Sequence, residues 1–233
     1  MIAACHQPNY LPWSGFFYKA LVADCVVLLD EVQFPRGFSW VNRNRIKGDQ
    51  GELWLTVPVW KKGRGLQKIG EVEICYEKAW RLKHLQSLEQ HYVHAPYRQD
   101  YLPLFQEIYS HPWKRLPDFN VDLIRCLGRT LGVAEKFVLQ SSLGIKGRGP
   151  DLLVNACNAV GADTYAASSA CRKFLNEDLF SKGGIRVAFY RFTPPVYPQL
   201  WDAFIEDLSF VDLLLNCGEK ARDILLGHKA FSV

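Results

Sequence analysis

Over the first thirty residues, two continuous apolar runs flank a single stretch of helical periodicity. Ile2-Ala3-Ala4-Cys5-His6 is short and almost wholly apolar, the pattern of a strand buried on both faces. Trp13, Phe16, Phe17, Ala20 and Leu21 then recur at helical spacing behind Pro12, which a helix start tolerates. Residues 25–30, CVVLLD, form the second run and end in an acid. Strand, short helix, strand predicts the opening βαβ unit of a parallel sheet covered on both faces.

After Asp30 the period changes. FSWVNRNRI, ELWLTVPVW and IGEVEIC predict two to four strands across a β-rich segment, 36–75. Pro58 marks one of them as an edge strand, because it cannot donate a ladder bond. AWRLKHLQSLEQHY, YLPLFQEIY and FNVDLIRCLGRTLG predict helices over 77–131, an inserted helical unit or lid closed by Gly132. The βα rhythm then returns. KFVLQSS reads as a strand running into the loop LGIKGRG, and Pro150 opens a helix. DTYAAS is a short strand, a helix follows over about 170–177, and IRVAFYRF is a further strand. Two C-terminal helices divided by Gly218 complete the chain. The expected fold is α/β: a Rossmann-like, mostly parallel three-layer sheet, one domain over 1–233, with a β-rich excursion and a helical insertion.

Composition narrows the classes. Apolar residues at 48% and charged residues at 22% exclude disordered and low-complexity chains. No apolar run approaches the ~20 residues of a membrane span, and the start lacks the basic region and long apolar core of a signal peptide. Seven cysteines, odd in number and never spaced C-x-x-C, read as small core hydrophobes of a reducing, cytoplasmic protein. The net charge of +4 is too small to point to nucleic acid. Residues 36–68, however, hold eight Lys and Arg against two acids, which favours an anionic small-molecule substrate or an acidic acyl- or peptidyl-carrier protein as partner. Oligomeric state is not legible.

In an open parallel sheet, ligands sit beyond the carboxyl ends of the strands. His6 and Gln7 follow the first strand, Asp30 and Gln33 the second, and Ser141 and Ser142 a later one. With Asn9, Tyr10 and Trp13 they are expected to converge on one cleft. His6 titrates near neutrality and is the candidate general base, with Asp30 to orient it. In WVNRNRI, an extended backbone puts Asn42 and Asn44 on one face and Arg43 and Arg45 on the other, where a guanidinium offers a fork to carboxylate or phosphate. Lys146, Gly147, Arg148 and Gly149 precede a helix start, a place suited to an anion, although the string is neither a Walker A loop nor G-x-G-x-x-G. His84, His91, His94 and His111 lack metal-ligand spacing, and no G-x-S-x-G occurs. No metal is expected, and no cofactor is identified.

The strings HQPNYLPWSGFF, LLDEVQF, SWVNRNRI, LTVPV, FVLQSSLG, GADTY and YPQLWDAFIEDLSFVDLLLNCG together resemble the WbqC-like protein family over essentially the whole chain. The resemblance implies a biosynthetic enzyme of O-antigen, other surface-polysaccharide or secondary-metabolite clusters, a transferase of amino-acid or acyl groups onto sugars. It places the family signature on His6, Gln7, Pro8, Asn9, Tyr10, Pro12 and Trp13, on Asp30, Gln33, Asn42, Arg43 and Asn44, on Ser141 and Ser142, and on Tyr197, Gln199, Asp212 and Asn216. The chain departs from it at Ala167-Ser168, where the family tends to Ser-Gly, and at Phe174, where Tyr is usual; both imply an altered substrate or site. The opening strand, His-bearing loop and helix also look like adenylyl-transferring Rossmann-like enzymes, which carry two histidines where only His6 stands here. A non-catalytic nucleotide- or carrier-binding module and a nucleotidyltransferase are therefore the alternatives to a transferase.

Overall fold

The structure, a computed structural model, describes residues 1–201 and 203–227. Five parallel strands form the main sheet: β1 (Ile2–His6), β2 (Cys25–Leu28), β5 (Phe137–Leu139), β6 (Thr164–Ser168) and β7 (Arg186–Tyr190). Their spatial order is β5-β2-β1-β6-β7, with β1 central and the direction of winding reversing between β1 and β6. Ala3 pairs with Cys25 and His6 with Leu28, so the ends of β1 and β2 are level.

The strand alternation divides the core into two layers. Ala4, Val26 and Leu28 face Phe16, Phe17 and Ala20 of α1 (Ser14–Val22), together with α4 (Leu116–Thr130) and α8 (Phe210–Cys217). Ala3, Cys5 and Val27 face the opposite layer, built from α6 (Gly149–Ala159) and α7 (Glu177–Lys182). The predicted three-layer α/β fold is what the chain forms.

Between the adjacent strands β2 and β5 lies the long excursion. It holds the antiparallel hairpin β3 (Arg43–Gly48) and β4 (Gly51–Thr56), then α2 (Trp80–His91), α3 (Arg98–Ser110) and α4. Isolated bridges Gln33–Lys68, Val59–Ile74 and Glu73–Arg115 lace the segments between them. Among the described residues the last α-helix, α9 (Ala221–Leu226), follows Gly218, whose φ of 58° ends α8.

Two elements differ from the sequence expectation. Strand β5 stops at Leu139, and Gln140–Leu143 is a helical turn, α5, whose Ser141 N–H donates to Asp30 Oδ1 at 2.9 Å. The helix expected near 170–177 is a 3-10 turn over Ser169–Cys171 followed by α7, because the Asn176 side chain accepts from Leu179 N–H and Glu177 and Asp178 suit a first turn. Among the described residues, no helix is long and apolar enough to cross a membrane.

Candidate functional site

His6 ends the central strand, and its ring packs edge-on against Phe16 with centroids 4.9 Å apart. Its Nδ1 lies 2.9 Å from the carbonyl oxygen of Gln7. A carbonyl can only accept, so Nδ1 carries the proton and Nε2 keeps its lone pair. Burial, reinforced by the neighbouring charge of Lys19, lowers the imidazole pKa to about 3. Lys19 itself donates to the Cys5 carbonyl at 3.0 Å, and burial lowers its pKa to about 8. The ring is thus a neutral acceptor in a cleft of about 270 Å³ that it shares with Asn9, Trp13, Trp40, Arg45 and Asp207.

Each wall of this cleft is fixed locally. Trp13 caps the start of α1, and its indole lies over Gly15, where a Cβ would come within 2.4 Å of the ring. Ser209 N–H donates to the Arg45 carbonyl at 2.9 Å, and a bridge joins Ser209 to Trp13, tying the 207 loop to β3 and to the head of α1. Arg45 pairs with Glu52 and donates to the Glu206 carbonyl at 3.2 Å. Asp207 holds a left-handed φ of 54°, and burial, joined by Glu206 and opposed by Arg45, raises its carboxyl pKa.

The loop Gln7–Pro12 is strapped from below. Asn120 Nδ2 donates to the carbonyls of Pro8 at 2.8 Å and Val41 at 2.7 Å. Asn44 Nδ2 donates to those of Leu11 at 2.6 Å and Tyr10 at 3.3 Å, holding Leu11 at a φ of 40°. Asn44 is therefore the scaffold of the site and does not face the cleft. Asn42 is likewise buried and donates to Val57 O at 3.0 Å. The Tyr10 hydroxyl is buried against His84 Nδ1 at 2.8 Å and the Tyr109 hydroxyl. Tyr197 and Tyr92 both donate to the buried carboxylate of Asp212, at 2.9 and 2.7 Å. Gln199 accepts from Lys47 Nζ at 3.1 Å, and the same buried ammonium donates to the carbonyls of Trp201 at 3.1 Å and Ala203 at 2.6 Å. Arg43 stacks over Trp54 at 4.4 Å and Phe38 at 5.0 Å, on the aromatic rim beyond Trp40.

The expected convergence on one cleft is not what the strands deliver. The ends of β1, β2 and β5 are neighbours, but their loops open into separate cavities. Asp30 is buried, accepts from Ser141 N–H, and with Ser141 lines a cleft of about 490 Å³; it does not orient His6, whose Nδ1 is held by Gln7. Ser142 is exposed and donates to the Leu139 carbonyl at 2.7 Å. Gln33, Lys146, Gly147, Arg148 and Gly149 line a third cleft, of about 660 Å³. Gln7 contributes its carbonyl to His6.

Four residues escaped the sequence reading: Asp207 and Lys19 beside His6, and the buried scaffold groups Lys47 and Asn120. Asn120 left a signal, a lone amide inside the apolar stripe Phe119, Val121, Leu123, Ile124.

The match to known proteins agrees with this frame. A sequence model of the WbqC-like protein family matches residues 7–224. The chain belongs to the WbqC-like protein family. A relative from Mycobacterium tuberculosis, an uncharacterized protein, is 32% identical over 221 residues, covering 94% of this chain and 95% of that one. No solved structure matches. In this WbqC-like protein, Ala167-Ser168 lies at the end of β6, and Phe174 is 86% exposed.

Proposed function

We propose that this protein is a transferase that moves an amino-acid or acyl group onto a hydroxyl or amine of a sugar or related acceptor, in surface-polysaccharide or secondary-metabolite biosynthesis. The observation that carries the reading is His6: neutral, fixed through Nδ1–H to the Gln7 carbonyl, and lining a cleft with Arg45 and Asp207. In this scheme Nε2 takes the proton of the acceptor as its oxygen or nitrogen attacks the acyl carbon; positioned bases contribute on the order of 10²–10⁴-fold, and a pKa of about 3 sets His6 at the low end of that range. The proton taken by His6 Nε2 passes back to the departing group, and the Asp207 carboxyl faces the same cleft. Arg45 holds a carboxylate or phosphate of the donor, and Trp13 and Trp40 supply flat apolar faces against which a ring can lie. The seven free cysteines, most of them buried, support a reducing, cytoplasmic location.

The test is a product screen by mass spectrometry, with acyl- and aminoacyl-thioesters and aminoacyl adenylates as donors and nucleotide-sugars as acceptors. Product should form with the wild type, fall at least about 10²-fold in His6→Gln, and fall also in Asp207→Asn. A His6→Gln protein that turns over at the wild-type rate removes the general-base role.

A further inference from the structure

The largest cleft named above shares no residue with the His6 cleft. It lies over the ends of β2 and β5, between Glu31–Gln33, Leu66–Lys68 and the glycine-rich turn that leads into α6. Three observations meet there. Lys68, Lys146 and Arg148 line it against one acid, Glu31, which is paired with Lys68 at 3.1 Å. The 11-residue helix α6 begins at its wall, where Gly149 and Leu152 line the cleft; no side chain caps its start, Pro150 has no N–H and Asp151 is its first-turn acid, so the remaining first-turn N–H groups and the positive end of the helix dipole lie at the cleft's wall. Gly147 makes that approach possible: its φ is 137°, and a Cβ there would come within 3.2 Å of the Leu152 backbone. Asn155 Nδ2 locks the turn by donating to the Lys146 carbonyl at 2.9 Å.

The third observation is Gln140. Its side chain is 3% exposed and lines the cleft, and its Oε1 is buried with no hydrogen-bond partner among the described residues. A buried amide oxygen without a donor is costly, on the order of 1–3 kcal/mol, and a turn of the amide that brings it to a ligand hydroxyl in the cleft removes that cost. Cations and helix-start N–H groups, with an orphan acceptor in the same lining, describe a single ligand chemistry. We propose that this cleft binds a phosphorylated, hydroxyl-bearing small molecule, a sugar phosphate or nucleotide. Its phosphate would lie on the Lys146–Gly149 turn and its hydroxyl on Gln140. A volume of about 660 Å³ suits a molecule of that size.

The inference stands without the transfer reading, and one experiment keeps the two apart. Calorimetric titration with pyrophosphate, UDP and glucose 1-phosphate, alongside uridine and glucose, should give binding only for the phosphorylated compounds. Whichever of UDP and glucose 1-phosphate binds more tightly identifies the source of the hydroxyl. Lys146→Gln and Arg148→Gln, both at exposed positions, should each weaken binding about tenfold. Gln140→Met should weaken the tighter hydroxyl-bearing ligand about tenfold and leave pyrophosphate unchanged. His6→Gln should bind as the wild type does, even if it no longer catalyses. No saturable binding of any of the three phosphates into the millimolar range, or binding indifferent to both cation variants, overturns the assignment.

Discussion

Replacing Asn44 with alanine separates a scaffold role from a ligand role. In the wild type its amide donates to the Leu11 and Tyr10 carbonyls and its oxygen accepts from Arg45 N–H at 2.8 Å, all at a residue 1% exposed. Truncation leaves these groups buried and unpaired. At about 1 kcal/mol for each of two good bonds, plus part of the about 1–3 kcal/mol for an unsatisfied buried carbonyl, the loss comes to about 2–4 kcal/mol. The left-handed Leu11 adds to the effect, since a non-glycine residue in that region stores about 1–3 kcal/mol that only surrounding bonds can hold. Urea denaturation followed by tryptophan fluorescence measures the difference directly, and the chain has seven tryptophans, two of them beside this loop in the cleft. A loss below about 0.5 kcal/mol, the size of an ordinary surface substitution, would refute the scaffold role and return Asn44 to the ligand.

Gly15→Ala should push the Trp13 indole off its seat, changing near-ultraviolet circular dichroism and costing about 1–3 kcal/mol in denaturation. Lys47→Met removes the donor shared by Gln199 Oε1 and the carbonyls of Trp201 and Ala203, so limited proteolysis should cut near Ala203 faster than in the wild type while the sheet stays protected in hydrogen exchange. Acid should destabilise the fold before the carboxylates titrate. His6 and His84 are lowered by burial to about 3 and about 4 from 6.5, so between those values the unfolded chain binds more protons than the native one. The stability is complete above pH 6.5 and drains as pH falls. At pH 5, 1.5 pH units at 1.36 kcal/mol each amount to about 2 kcal/mol for buried His84, and less for the partly exposed His6. Denaturation at neutral pH and at about pH 5 should therefore show a smaller acid loss in His6→Gln than in the wild type; equal losses would place the His6 pKa near its ordinary value.

The sheet was legible because its strands are continuous apolar runs, and a strand buried on both faces has little freedom to be anything else. CVVLL and IRVAFYRF contain the strands that periodicity put there, β2 and β7. Of the residues that line the His6 cleft, the sequence pointed to His6, Asn9, Trp13 and Arg45. Asn42 and Asn44 carry the same functional groups whether they hold a ligand or a loop, and only the positions of the Val57, Tyr10 and Leu11 carbonyls distinguish the two. Asp207 was hidden for the opposite reason: its segment has no periodicity, and it reaches the cleft through the Ser209–Arg45 and Lys47–Gln199 bonds between residues more than 150 apart in the chain. Asp30 was misjudged because strand ends can be level while their loops diverge; the Ser141 N–H drew its carboxylate toward β5.

Nitrogen NMR of the His6 ring, with His6→Gln used to assign the signals, reads the protonation that the proposed chemistry requires. At neutral pH, Nδ1 should appear as a protonated, pyrrole-type nitrogen and Nε2 as an unprotonated, pyridine-type one, with both unchanged down to about pH 5. A proton found on Nε2 instead would leave the cleft without its base, and an imidazolium that forms near pH 6.5 would contradict the burial that lowers the ring's pKa.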